Sequence, residues 1–194
     1  MTIIVRRVFE PKHDKQLIGT TMQIEVISTI EKFKTLKEDW MQVYREDSDS
    51  TVQRSWGWMK GWIECTDLDW CILGAINKES GEYLGFFVLS RKENKRKCSL
   101  ELGGRPWAAR SGILCHPDYK KEILKLFADY IQKKTVWDVF NLRDVWDGKI
   151  DIFLREFSVL KYKVIRDMDT PCPRIELARD WKSYTQDQLQ RSRY

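Results

Sequence analysis

Apolar residues change their spacing several times along this chain, and each change marks an element. "MQIEVI", residues 22 to 27, alternates as a short strand does. Ile30, Phe33, Leu36, Trp40, Val43 and Tyr44 then recur at helical spacing. The segment "STIE" before them predicts a capping box, with Ser28 as the cap and Glu31 three residues on. After the polar loop "REDSDS", a tryptophan-rich segment carries Trp56, Trp58 and Trp62 and predicts a second helix ending near Cys65. Trp58 and Trp62 are one turn apart and share a face, expected to pack as core. Arg54, Lys60 and Glu64 are placed toward water. Gly57 and Gly61 weaken this helix by about 1 kcal/mol each relative to alanine, but leave room for another element to approach.

The period then becomes short and strand-like. "WCILGAI", "EYLGFFVLS" and "KCSLEL" predict a three-stranded antiparallel meander, its first turn at "NKESG" and its second at the basic run "RKENKRK". "ILCH" is a further short strand. Pro117 and Asp118 open a helix whose stripe is Ile123, Leu124, Phe127 and Ile131. "VWDVFNL" is a strand, and Ile150, Phe153, Leu154 and Phe157 form another amphipathic helix. "YKVIRDM" and "CPRIEL" read as a closing strand pair, and Asp180 caps a last helix. Residues 1 to 21 show no clear period and read as an extension or a loosely attached strand. The order predicts an α/β domain with a mixed, largely antiparallel sheet covered by helices, and a crossover helix leading to a parallel pair. The expected organisation is an extension over 1–22, one domain over 23–179, and over 180–194 the start of a truncated helix or a linker to a second domain.

Composition narrows the function classes. The 194 residues are 42% hydrophobic and 32% charged, with a net charge of +5, which fits one soluble domain able to bury a core. The charge is too mild, and the basic run too local, to suggest nucleic-acid binding, which is not expected. No stretch approaches the roughly 18 apolar residues of a membrane span, and no apolar leader opens the chain, so a cytoplasmic location is expected. Five cysteines without a C-x-x-C pair, and two histidines away from any cysteine pair, give no zinc pattern. Cys71 and Cys98 read as small buried hydrophobes. His116 precedes Pro117 and reads as a helix cap. No metal site and no cofactor motif is evident: P-loop, dinucleotide fingerprint, H-E-x-x-H and G-x-S-x-G patterns are all missing.

The candidate ligand residues come from two places. Gln53 and Trp56 stand at the start of the tryptophan helix. Arg105, Trp107 and Arg110 lie in "GGRPWAARSG", just beyond a strand end, where sites in open sheets form. An arginine beside a tryptophan suits an anionic or sugar-like group.

The order of these features resembles the N-terminal half of the CelD-type acetyltransferase-like family of the GNAT superfamily, related to FemAB-type aminoacyl transferases. The resemblance rests on Trp40, on "QRSWGWMKGW", on "GEYLGFFVLS" followed by "LELGG", on "WDVFNLRDV", and on "CPRIELARDWKSYTQDQLQRSR". It implies a GNAT-like fold over roughly residues 23 to 193. It also implies transfer of an acyl group from acyl-CoA to an amine or hydroxyl of an envelope or polysaccharide-related acceptor, and packing against a second GNAT-like domain or a second copy of the chain. One departure stands out. The glycine-rich run R/Q-x-x-G-x-G/A, through which such domains hold the acyl-CoA pyrophosphate on backbone N–H groups, does not occur here. The chain is therefore expected to be incomplete as an enzyme, or to be a non-catalytic binding or interaction module with the same fold. No catalytic base is identifiable.

Overall fold

The structure, a computed structural model, describes residues 2–7, 21–94, 97–105, 111–143, 145, 147–157, 161–167 and 179–191. Among the described residues, eight strands form a single sheet. They are β1 (Thr2–Arg7), β2 (Met22–Ile27), β3 (Asp69–Asn77), β4 (Tyr83–Asn94), β5 (Lys97–Leu102), β6 (Ile113–Cys115), β7 (Val139–Leu142) and β8 (Tyr162–Asp167). The helices are α1 (Ile30–Thr35), α2 (Lys37–Glu46), α3 (Trp56–Cys65), α4 (Lys120–Lys134), α5 (Lys149–Arg155) and α6 (Trp181–Arg191).

The strand order is β2-β3-β4-β5-β7-β1-β8, with β6 paired to β4. The expected antiparallel meander is β3-β4-β5. The expected crossover is α4, which carries the chain from the β5–β6 region to β7, and β7 runs parallel to β5 with Leu100 opposite Phe140. Alternation along β4 divides the interior. Phe87 and Leu89 face a core built with α4 and α5, whereas Phe86 and Val88 face a second core built with α1, α2 and α3. The second core is aromatic: Trp56 stacks on Phe33 at 4.1 Å and Trp40 on Phe86 at 4.7 Å.

Several expectations shift on contact with the structure. Residues 2–7 are no loose extension. They form β1, an interior strand antiparallel to both β7 and β8, with Ile3 and Val5 fully buried. The first helix is capped by Thr29, whose hydroxyl accepts from the Lys32 amide at 3.3 Å, rather than by Ser28. That helix also breaks at Leu36, where the Leu36 amide turns back to the Phe33 carbonyl at 3.0 Å. β8 pairs with β1; "CPRIEL", the strand expected to close a pair with it, lies outside the described residues. The expected Asp180 cap is present, its carboxylate accepting from the Ser183 amide at 2.9 Å. No helix among the described residues is long and apolar enough to cross a membrane.

The placement of β1 gives a stability test. Ile3→Ala is expected to lower the unfolding free energy by about 2–5 kcal/mol, the usual cost of emptying a well-packed core position. Urea denaturation measures it. A loss under about 0.5 kcal/mol, normal for a surface site, would show β1 to be peripheral.

Candidate functional site

Two features beside β5 and β6 carry the chemistry of the fold, one closed and one open. The closed one begins with hydrogen-bonding geometry. β6 pairs with β4 along Phe87, Phe86 and Gly85, and the His116 amide donates to the Leu84 carbonyl at 2.8 Å. By alternation, the Ile113 and Cys115 amides point away from β4. No strand pairs with β6 on that side among the described residues. Two carboxylates take the place of one. The Ile113 amide donates to Asp147 Oδ2 at 3.2 Å, and the Cys115 amide to Asp47 Oδ2 at 3.2 Å.

Each carboxylate has a cation. Lys149 Nζ lies 2.8 and 2.7 Å from the two Asp47 oxygens. The Arg54 guanidinium lies 3.2 Å from Asp147 Oδ2 and also donates to the Asp49 carbonyl at 3.1 Å. Lys149 is 1% exposed and Arg54 2%, so this is a buried cluster of balanced charge. Arg54, expected in water, is instead buried, and its ion pair with Asp147 compensates that burial. Gly112 belongs to the same device. A Cβ there would stand 2.5 Å from Asp147 Oδ2 and 3.0 Å from the Arg54 guanidinium, so a side chain would displace the carboxylate.

The open feature is a groove of about 690 Å³ between α3 and the turn after β5. Its floor is the exposed side of α3 at Gly57 and Gly61, its walls include Trp58, Leu68 and Arg105, and Cys65, Thr66 and Asp67 lie at one end. The Trp62 indole N–H donates to the Arg105 carbonyl at 2.7 Å, which ties helix to turn and fixes the width of the groove. Trp62 is buried, as expected of the shared face, but Trp58 is half-exposed and lines the groove.

Of the sequence-predicted ligand residues, Arg105 borders this groove. Trp56 lies in the aromatic core, 8% exposed, and Gln53 sits half-buried in the turn that precedes α3. The structure does not bring these two to Arg105's groove. Trp107 and Arg110 lie outside the described residues. The groove residues that sequence reasoning passed over are Trp58, Cys65, Asp67 and Leu68. A helix carrying glycines at 57 and 61 beside an uncovered tryptophan was their signal. His116 caps as expected, its Nδ1 accepting from the Asp118 amide at 3.2 Å. Among the described residues no group of His, Cys, Asp and Glu is arranged to hold a metal ion.

The thiols differ in environment. Burial, aided by the Asp69 charge, pushes the Cys71 thiol up to about 11. Burial pushes Cys115 up to about 12 despite the nearby Lys149 ammonium. Cys65 is exposed.

No family model matches the chain, and no curated protein matches it in sequence. Among solved structures, a functionally unknown conserved protein from Staphylococcus epidermidis is similar over 84% of this chain and 58% of its own, with 13% sequence identity and a TM-score of 0.44. The chain thus spans less than two thirds of that protein, and a likeness this loose assigns neither family nor function.

Two outcomes follow from this geometry. Lys149→Ala is expected to cost about 3–5 kcal/mol of unfolding free energy, because it strands buried carboxylates. Lys60→Ala, which breaks the surface pair with Glu64, is expected to cost under about 1 kcal/mol. Denaturation curves giving equal losses would refute the role assigned to the cluster. Iodoacetamide at mildly alkaline pH is expected to alkylate Cys65 well before Cys71 and Cys115, since a raised thiol holds less thiolate. Peptide mapping by mass spectrometry against time reads the order.

Proposed function

We propose that the chain is a binding domain of GNAT-like layout, not a complete acyltransferase, and that a small-molecule or sugar-like group sits in the groove beside Trp58. The observation that carries this reading is the closure, among the described residues, of two backbone surfaces that could hold an acyl-CoA, the start of the α4 segment and the outer edge of β6. A pyrophosphate is held by free N–H groups at a helix start. At the start of the α4 segment, Pro117 has no N–H, the Asp118 amide is taken by His116 and the Tyr119 amide turns back to the His116 carbonyl at 3.3 Å. An extended amide-bearing arm is held by a free strand edge. On β6 the outward amides are already bonded to Asp47 and Asp147. The groove, by contrast, is open and mostly apolar, as small-ligand sites are.

The second reading is an acyltransferase domain that transfers an acyl group from acyl-CoA to an amine or hydroxyl of an envelope or polysaccharide-related acceptor. The parallel β5–β7 pair with α4 as its crossover supports it. Acyl-CoA would then be its cofactor. Under either reading a partner, whether a second copy or a second GNAT-like domain, has an apolar surface to cover at Trp181, 75% exposed and stacked on Tyr184 at 5.4 Å.

Calorimetric titration with acetyl-CoA separates the readings. The binding-domain reading expects no dissociation constant tighter than about 10 μM, roughly 7 kcal/mol of binding. A tighter constant would reverse the preference and make the chain a candidate enzyme by itself.

A further inference from the structure

The groove along α3 has an electrostatic sense that its apolar lining does not dictate. α3 runs from Trp56 to Cys65, and the groove reaches past its C-terminal end to Thr66, Asp67 and Leu68. A helix C-terminus carries partial negative charge on its last carbonyls, a charge usually offset by a basic residue in the final turn. α3 has no basic residue there. Gly61 leaves the helix surface open at this point, since a Cβ on it would meet nothing within 4 Å.

Asp67 adds a full charge at the same end. It is exposed and has no hydrogen-bond or ion-pair partner among the described residues. The neighbouring Glu64 is by contrast neutralised, 3.4 Å from Lys60 and 3.7 Å from Lys34. Arg105, the cation among the described lining residues, has interactions of its own. Trp58, half-exposed on the wall toward the start of α3, offers apolar surface to the rest of a ligand. A helix C-terminus and an uncommitted carboxylate thus meet at one end of an apolar groove, and both favour positive charge there, while Trp58 stands about 10 Å back along the helix, where a ligand's apolar chain would reach it.

We infer that the occupant of this groove carries a cationic nitrogen: an ammonium group on a short aliphatic chain, its charge at the Asp67 end and its chain over Gly61 and Leu68. This deepens the proposed function, since it rests on the groove being the ligand site. It also reverses the sign expected from the sequence, where arginines beside a tryptophan suggested an anionic or sugar-like group.

Three probes of equal length and different charge test it: hexylammonium chloride, hexan-1-ol and sodium hexanoate. Each is titrated into the protein while the tryptophan indole N–H resonances are followed by NMR. Hexylammonium is expected to shift the Trp58 signal and to bind at least about fivefold more tightly than hexan-1-ol, with hexanoate weakest. Asp67→Asn is expected to remove that preference while leaving hexan-1-ol unchanged. Gly61→Leu, which has room for its Cβ, is expected to abolish binding of both. Equal affinity for the three probes, or an Asp67→Asn variant that keeps the preference, overturns the cation assignment and leaves the groove reading standing. No Trp58 shift with any probe overturns both.

Discussion

Two backbone amides at β6 set the terms for one end of this fold. A buried N–H must have a partner. On the outward side of Ile113 and Cys115 the usual partner, a neighbouring strand, is missing among the described residues, because β7, which lies between β5 and β1, stops at Leu142. Asp147 and Asp47 fill the opening with carboxylate oxygens. Carboxylates taken out of water need cations in turn, and Lys149 and Arg54 supply them. The parts come from four places: Asp47 closes α2, Arg54 sits in the turn before α3, Lys149 opens α5, and Asp147 precedes it. α2 and α3 belong to one helical layer and α5 to the other. The gap beside β6 is where side chains from both layers meet, so a single cluster holds the two layers in register.

The groove depends on that cluster indirectly. Arg54 is anchored at both ends, its guanidinium to Asp147 and its carbonyl to the Trp40 indole N–H at 2.9 Å. Ser55 follows and caps α3, its hydroxyl accepting from the Trp58 amide at 3.4 Å. The start of α3 is thereby fixed against the sheet, while Trp62 fixes its later turns to the Arg105 carbonyl. A groove whose wall is pinned at both ends needs little ordering when a ligand arrives, and such preorganisation favours affinity. The same folding step that closes the β6 edge therefore sets the open site.

Much of the fold was legible because it is written in local periodicity. The β3-β4-β5 meander, the stripe of α4 and the crossover to β7 all follow from runs of apolar residues within one element. β1 was not legible. Only Ile3 and Val5 are fully buried in it, Arg6 and Arg7 follow, and its partners lie more than a hundred residues away in β7 and β8. The charge cluster was hidden for the same reason. Asp47 lies in a stretch that looks like a polar loop, and its separation of 102 positions from Lys149 leaves no local trace. The tryptophan helix was half legible. Spacing placed Trp58 with Trp62 on the core face and left Trp56 as a ligand candidate, but α3 is apolar on more than one side. Tertiary packing put Trp56 against Phe33 and left Trp58 on the groove. Arg105 was legible as a residue just past a strand end; Asp67 was not, because a lone aspartate after a helix reads as ordinary solvated surface.

A buried ion-pair cluster can often be exchanged for hydrophobic residues at little cost or even with gain. That rule assumes the charges serve only one another, and here they do not. Asp47 and Asp147 also accept from the Cys115 and Ile113 amides. Replacing Asp47, Asp147, Lys149 and Arg54 by apolar residues of similar size would remove the desolvation penalty of four charges. It would also leave two buried N–H groups without acceptors, each costing about 1–3 kcal/mol. Asparagines in place of the aspartates would keep an acceptor for each amide, but their NH₂ groups would then stand near Lys149 and Arg54 with nothing to donate to. The charged arrangement gives both amides an acceptor and both carboxylates a cation with four side chains, leaving Arg54 Nε as the one cluster atom without a partner, and the choice follows from an unpaired strand edge, not from any strength of ion pairs as such. Gly112 records the same constraint in the backbone: the carboxylate that completes the edge occupies the space where its side chain would be.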